Sequence, residues 1–431
     1  MSNIVPQNLV VYPGNVHGSV AAPASKSSMQ RACAAALVRN GKSHIFNPGL
    51  SNDDVASKGV IEALGAVITE QHDGSLLVDS SQRKDFDTVN IHFGESGLGI
   101  RMFTPIAATL HSHVYITGEG SLSRRPMDFF DEVLPQLGVS VQSSNGKLPL
   151  DIKGPLVPRN IVVDGSLSSQ YLTGLLLAYA ALDATNVTIS VLNLKSRPYV
   201  DLTLKVMQDF GLKTPTNDNY ESFFFGDSFV KNRNTVTYAV ESDWSGGAFL
   251  LVAAAVAGQL TVSGLDPQST QADKAILQAL QDTTCPLSIG PDQIGISKPL
   301  ALQPFRFDAT ECPDLFPPLV ALAANCKGDS MIEGVYRLAH KESDRGIALQ
   351  EEFGKMGIAV DLKGDAMIVH GGTGIKAAKT HSHHDHRIAM ACAVAALNAD
   401  GPVEIEEADA VKKSYPGFFQ DMEKIGIQIK S

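Results

Sequence analysis

The chain repeats one long unit. Amphipathic, helix-like stretches end in an apolar residue and Gly at Leu64-Gly65, Leu137-Gly138, Phe210-Gly211, Met356-Gly357 and Ile425-Gly426. Gly just past such a stretch marks a helix C-terminus, because it takes the left-handed cap conformation without a steric cost. The first three glycines are spaced by 73 residues; Gly357 follows after 146, twice that step, and Gly426 after 69. The gap falls near Thr284-Cys285, where Ala275–Leu280 supply a helix without the Gly. A shared period of this length exceeds common solenoid repeats and indicates a compact supersecondary unit, present six times.

A second helix type alternates with the first. Its segments are Ala32–Val38, Met102–Leu110, Leu172–Leu182, Ala248–Ala257, Leu315–Ala324 and the stretch after His386, all apolar and rich in Ala. With no polar stripe along them, they read as buried on all sides. β-like runs lie between, among them Asn160–Val163, Val187–Leu194, Ser222–Phe225 and Thr235–Ser242. These runs are β-branched or aromatic and bounded by turn residues. The unit is therefore β-α-β-α-β-β. Six of them predict an α/β protein with three units per domain and a helical core wrapped by sheets, an inside-out barrel. Helices sharing one orientation would aim their positive N-termini together, and two domains facing each other would form a cleft suited to anions.

Composition narrows the partners. The 431 residues carry 35 Lys+Arg against 46 Asp+Glu, a net charge of −11, which argues against nucleic acid or a polybasic membrane surface. Any anion must be held in a local pocket. The five cysteines (Cys33, Cys285, Cys312, Cys326, Cys392) have no CxxC spacing and sit mostly in apolar stretches, so buried reduced thiols are expected. Met1–Pro6 lacks a signal-peptide layout, and no apolar run reaches the ~20 residues of a membrane span. A cytoplasmic protein is the expectation.

Cations gather at the helix ends. Lys26 and Arg31 flank the first apolar helix and Arg101 the second. Arg124-Arg125-Pro126, Ser196-Arg197-Pro198-Tyr199, Lys341–Arg345 and Lys412–Pro416 each precede an amphipathic helix. An acidic chain that concentrates Arg and Lys at one point of its repeat is built to hold phosphates or carboxylates. Asp314 and Glu342 lie in equivalent loops, as salt-bridge partners or as an acid/base pair.

These motifs resemble, in order and over nearly the whole chain, the 5-enolpyruvylshikimate-3-phosphate synthase family of enolpyruvyl transferases. The motifs are Pro23-Ala24-Ser25-Lys26-Ser27 with Arg31, Gly97 to Arg101, Arg125-Pro126, Ser168-Ser169-Gln170, Ser196 to Tyr199, Pro313-Asp314, Lys341–Arg345, Asp385-His386-Arg387 and Lys413–Pro416. The resemblance implies domains 24–240 and 1–23 plus 241–431, the first mainly on the shikimate 3-phosphate side and the second mainly on the phosphoenolpyruvate side. It implies transfer of the enolpyruvyl group to the 5-hydroxyl of shikimate 3-phosphate in the shikimate pathway, through a tetrahedral intermediate. No cofactor or metal is expected, nor any nucleic-acid or membrane partner, and the chain is expected to be a monomer. By resemblance, Lys26, Ser27, Arg31, Ser168, Ser169, Gln170, Ser196, Asp314 and Lys341 hold shikimate 3-phosphate. Lys26, Gly97, Arg125, Gln170, Arg345, Arg387 and Lys413 hold phosphoenolpyruvate. Asp314 is the expected base, Glu342 and Lys26 the expected proton-transfer partners, and His386 supports the intermediate.

Two departures and two rivals remain. The family's Asn-Ala-Gly-Thr loop reads Glu95-Ser96-Gly97-Leu98 here, and a carboxylate beside an anion pocket weakens binding unless a cation neutralises it. Ala24 stands where the family commonly has Gly. This loop bears on phosphoenolpyruvate and on the inhibitor glyphosate. The nearest rival, the sister transferase acting on UDP-N-acetylglucosamine, would carry a Cys before its Arg-Pro motif, and Gly118–Ser123 has none. A metal-dependent hydrolase using His381, His383, His384 and His386 ranks behind it, because that spacing lacks the i, i+4 pair of common zinc helices.

Overall fold

The computed structural model describes residues 7–83, 87–227, 234–339 and 341–431, so the Met1–Pro6 segment read for a leader lies outside the described residues. Six buried helices occupy the expected places: Lys26–Val38, Gly97–Leu110, Ser169–Ala181, Trp244–Ala257, Phe316–Ala324 and His386–Ala396. All fourteen positions of Trp244–Ala257 are buried. The small side chains explain how this is possible, since Ala and Gly let neighbouring backbones approach without voids.

Six four-stranded sheets cover these helices. In four of them, the strand before a buried helix runs parallel to the strand after that same helix, and two further strands complete the sheet antiparallel. Thus Ile161–Asp164 pairs with Val187–Leu192, which pairs with Ser222–Phe225, which pairs with Thr216–Asp218. Ile161–Asp164 alternates buried and exposed residues, so one sheet face meets the helices and the other meets solvent.

Contacts divide the chain into two compact units, 24–240 and 1–23 with 241–431. Each holds three sheets around three buried helices, an inside-out α/β barrel. The strands at the boundary do not pair with their sequence neighbours. Val236–Ala239 immediately precedes the fourth buried helix, yet it pairs with Lys42–Phe46 and closes the first sheet. Ser19–Ala21 precedes the first buried helix but pairs with Gln259–Ser263. Leu9–Val11 inserts between Val403–Glu406 and Ile429–Lys430.

The helix-ending glycines at 65, 138, 211, 357 and 426 all have positive φ. In the copy that lacks the Gly, Thr284 itself takes the left-handed conformation, with φ 66°. The repeat keeps the cap geometry even where the sequence has lost its signal. All five cysteines are buried and free. Among the described residues no helix is long and apolar enough to cross a membrane.

The helices Gly97–Leu110 and Ser169–Ala181 pack closely against each other. A Cβ on Gly174 would lie 2.7 Å from the backbone oxygens of Arg101 and Met102. Backbone cannot yield as a flexible side chain would. Gly174→Ala is therefore expected to destabilise the chain by about 1–3 kcal/mol through overpacking, despite the better helix propensity of Ala. A chemical-denaturation midpoint that does not fall would contradict this contact.

Candidate active site

In the 24–240 unit, the N-terminal turns of the three buried helices are tied to one another. Ser25, Ser96 and Ser168 cap them through side-chain oxygens that accept the N–H of Ser28, Gly99 and Gln170. Ser96 Oγ donates to Gln30 Oε1 at 3.0 Å, linking the second helix to the first. Arg101 Nη1 donates to Gln170 Oε1 at 2.9 Å, linking the second to the third, and its guanidinium lies over the Tyr171 ring. Three positive helix ends thus share one end of the unit.

Around this end sit the expected ligands. Lys26 Nζ lies 3.0 Å from Asp53 Oδ2. The Arg125 guanidinium packs against Gly97 so closely that a Cβ there would run into it. Ser196 adopts φ 58° just before the helix Arg197–Asp209. Arg31 is 1% exposed. It donates to Thr203 Oγ1 at 2.9 Å and to the carbonyls of Ser27 and Tyr199, so it braces two neighbouring segments from inside. Glu95, the departure from the family pattern, accepts the Ser121 N–H at 2.8 Å and fills the space above Gly120. Leu98 is buried.

The second unit gathers the remaining residues. Asp385 caps the sixth buried helix by accepting the Arg387 N–H at 3.0 Å. The same carboxylate, 0% exposed, takes Arg345 Nε at 2.8 Å and Nη2 at 3.3 Å, and Ser343 Oγ at 3.1 Å. Arg345 also donates to Asp314 Oδ1 at 2.7 Å and Glu342 Oε2 at 2.6 Å. Asp314 receives Lys341 Nζ at 3.1 Å and Arg387 Nη2 at 3.2 Å as well. Burial alone would raise the Asp314 carboxyl, but Arg387, Lys341 and Arg345 hold it well below the usual carboxylate range. Lys341 moves down, because its desolvation outweighs the attraction of Asp314. Lys413 Nζ donates to the His384 carbonyl at 3.2 Å. His386 is buried in the first turn of its helix, with Nδ1 3.7 Å from Asp385 Oδ1.

The expected phosphoenolpyruvate group therefore divides: Lys26, Gly97, Arg125 and Gln170 belong to one unit, and Arg345, Arg387 and Lys413 to the other. The shikimate 3-phosphate group lies in 24–240 except for Asp314 and Lys341. Of the histidines in the hydrolase reading, His381 lies beside His383 and His384, with ring centroids 5.2 and 5.9 Å away, but these rings pair with carboxylates. His383 and His384 pair with Glu352 and Glu407, at 2.6 and 2.7 Å, while His386 is interior.

The family model for EPSP synthase (3-phosphoshikimate 1-carboxyvinyltransferase) matches residues 10–422. The chain belongs to the EPSP synthase family. Among relatives, the 3-phosphoshikimate 1-carboxyvinyltransferase of Clostridium kluyveri is 35% identical over 97% of both chains. That of Methanocorpusculum labreanum is 34% identical over 98% of this chain and 99% of its own. The EPSP synthase structure from Acinetobacter baumannii superposes with a TM-score of 0.79 at 24% identity, covering 99% of this chain and all of that one, a likeness of fold.

For this EPSP synthase family member, sequence reasoning missed the counter-charges. Asp53, Asp385 and Asp273 each sit against a cluster cation or its partners. Asp273 is the least obvious. It occupies the 3-10 turn Ala272–Ala275 before Ile276–Asp282, in the copy of the repeat without the Gly, where its siblings place cations. Comparing that copy with its siblings was the available signal. Ser245 Oγ donates to Asp273 Oδ2, and the carboxyl is 1% exposed. Burial first and the Asp314 charge second raise it to about 7, against the pull of Arg387 and Ser245.

A raised carboxyl pKa means that the fold prefers the protonated form. The resulting penalty is absent below the ordinary carboxylate range, grows as pH rises toward 7, and is constant above it. Asp273→Asn, which keeps an acceptor for Ser245, should match the parent near pH 4. It should be more stable by roughly 1–3 kcal/mol at pH 8. Denaturation midpoints across that range test this; a variant less stable at pH 8 would show that the ionised carboxylate is a net stabiliser.

Proposed function

We propose that the chain transfers the enolpyruvyl group of phosphoenolpyruvate to the 5-hydroxyl of shikimate 3-phosphate and releases phosphate. Membership of the EPSP synthase family over residues 10–422 supports the reaction class. The observation that carries the reading of the site is the Asp314 carboxylate, gripped by Lys341, Arg345 and Arg387.

The reaction needs two proton movements. As the 5-oxygen bonds to the substituted enol carbon, its proton must leave and a proton must reach the methylene carbon. Elimination then breaks the bond to phosphate and returns a proton from the methyl group, leaving a new enolpyruvyl ether. Asp314 is the proposed base. While three cations hold it, it is a weak one. Incoming carboxylate and phosphate compete for Arg345, Arg387 and Lys341, and each cation drawn away raises the basicity of Asp314. Substrate binding thus arms the base. Glu342, beside Arg345 at 2.6 Å, and Lys26 are the proposed partners for the carbon-bound proton, and His386 supports the intermediate.

Lys341 is the proposed contact of this unit to shikimate 3-phosphate. Arg345, Arg387 and Lys413 are proposed to hold phosphoenolpyruvate, with Arg125, Gln170 and the backbone at Gly97. Ser27, Ser168, Ser169 and Ser196 supply hydroxyls to shikimate 3-phosphate. Arg31, already engaged with Thr203 and the Ser27 carbonyl, is proposed to present Ser27. Glu95 keeps its charge while accepting the Ser121 N–H, and it is proposed to weaken phosphoenolpyruvate binding unless a cation of the site offsets it.

Inorganic phosphate should appear only when phosphoenolpyruvate and shikimate 3-phosphate are supplied together. Release with UDP-N-acetylglucosamine in its place would overturn the substrate assignment. Asp314→Asn should lower kcat by about 10²–10⁴-fold while changing KM for either substrate only severalfold. A kcat within a factor of two of the parent would remove Asp314 from the chemistry.

A further inference from the structure

The histidine-rich turn before the sixth buried helix has a use that the transfer reaction does not absorb. His383 Nε2 lies 2.6 Å from Glu352 Oε1 and 3.7 Å from Glu351 Oε2. All three ligand atoms lie within 4.8 Å of one another. The two glutamates come from the helix Arg345–Lys355 and the imidazole from the turn facing it. His383 and His384 have φ 53° and 55°, and consecutive left-handed histidines are an uncommon backbone conformation. That conformation brings the His383 ring onto the helix.

We propose that Glu351, Glu352 and His383 form a binding site for one first-row divalent cation of the Zn2+ class. One imidazole nitrogen and two carboxylate oxygens make a borderline donor set, suited to Zn2+ or Co2+, whereas Mg2+ and Ca2+ favour oxygen alone. Tetrahedral zinc with bonds of about 2.0 Å spaces its donors roughly 3.3 Å apart. The His383–Glu351 separation is already close to that, and the His383–Glu352 contact has to open only slightly. Glu352 is fully buried and anchors the site, while Glu351, 52% exposed, and His383, 30% exposed, leave it reachable from solvent. Water supplies the fourth ligand.

Lys355 is the built-in competitor. Its ammonium sits 2.8 and 2.9 Å from the two Glu352 oxygens, and its side chain is 46% exposed, free to swing into water when an ion arrives. The cation would also tie the turn down. The next residue, His384, offers its carbonyl to Lys413, and Asp385 holds Arg345. The site is thus linked through backbone to the anion-binding cations without being part of them.

The test needs no substrate and stands apart from the transfer reaction. Chelator-treated full-length chain is titrated with Co2+, read by visible absorption, and then with Zn2+ as competitor. One equivalent with a tetrahedral-type spectrum is expected, and Mg2+ should not displace it. His383→Asn, which tolerates the left-handed backbone, and Glu351→Gln should each weaken binding at least about tenfold. Lys355→Gln should tighten it, an outcome that a merely damaged fold cannot give. Zn2+ should raise the Tm of the parent but not of His383→Asn. Absence of saturable binding overturns the proposal. So does binding unaffected by His383→Asn, or binding lost instead in His384→Asn or Glu407→Gln.

Discussion

The Arg345–Asp385 pair is the interaction on which the second unit's cluster depends. Both side chains are withdrawn from water, at 1% and 0% exposure. Burying two charges costs several kcal/mol per ion unless geometry and hydrogen bonds compensate. Here they do. Two Arg345 nitrogens meet the two Asp385 oxygens, and the same oxygens accept a serine hydroxyl and a helix N-terminal N–H. The carboxylate is at once a helix cap and the anchor of a guanidinium. That coupling fixes the direction of Arg345, so its remaining donors reach Asp314 and Glu342 without further ordering. Pre-paid orientation of this kind is what a polar site needs before a ligand arrives.

The 24–240 unit solves the same problem by giving its buried cations neutral partners. Its helix N-termini are joined through Ser96 to Gln30 and through Arg101 to Gln170. Amides and hydroxyls are cheaper to bury than ions. Arg31 also ties this unit together from inside. A guanidinium turned fully inward, with each nitrogen bonded to protein, serves as a brace.

Charge in the second unit is balanced, not merely positive. Asp314, Glu342, Asp385 and Asp273 stand among Lys341, Arg345 and Arg387. Such a knot is stable only while each member keeps its partners. Asp314 is held strongly ionised, and the buried Asp273 is held close to its titration point. The two carboxyls are pushed apart by cations around Asp314 and, at Asp273, by burial together with the Asp314 charge.

Much of this was legible in the chain itself. The six-fold period, the buried helices and their neighbours' ends are local signals: Gly after a helix and unbroken apolar runs between. Their meaning does not depend on distant residues. Even Thr284 could be placed, because its five sibling positions say what its backbone must do. The motif residues Lys26, Arg125, Asp314, Arg345 and Arg387 were legible by their order. Three kinds of fact were not. The pairing of Val236–Ala239 and Ser19–Ala21 with distant sheets, whose domain boundary only the family resemblance implied, is a matter of which edge is free, and edges exist only after the helices have packed. The pairing of Asp385, Asp273 and Asp53 with particular partners depends on distances across many tens of residues of chain. The sorting of His381 to His386 into carboxylate-paired rings and one interior ring depends on which side of the turn the helix Arg345–Lys355 occupies. Local chemistry determines what each segment is; only tertiary packing decides what it faces, because burial and Coulomb energies depend on separations in space and not along the chain.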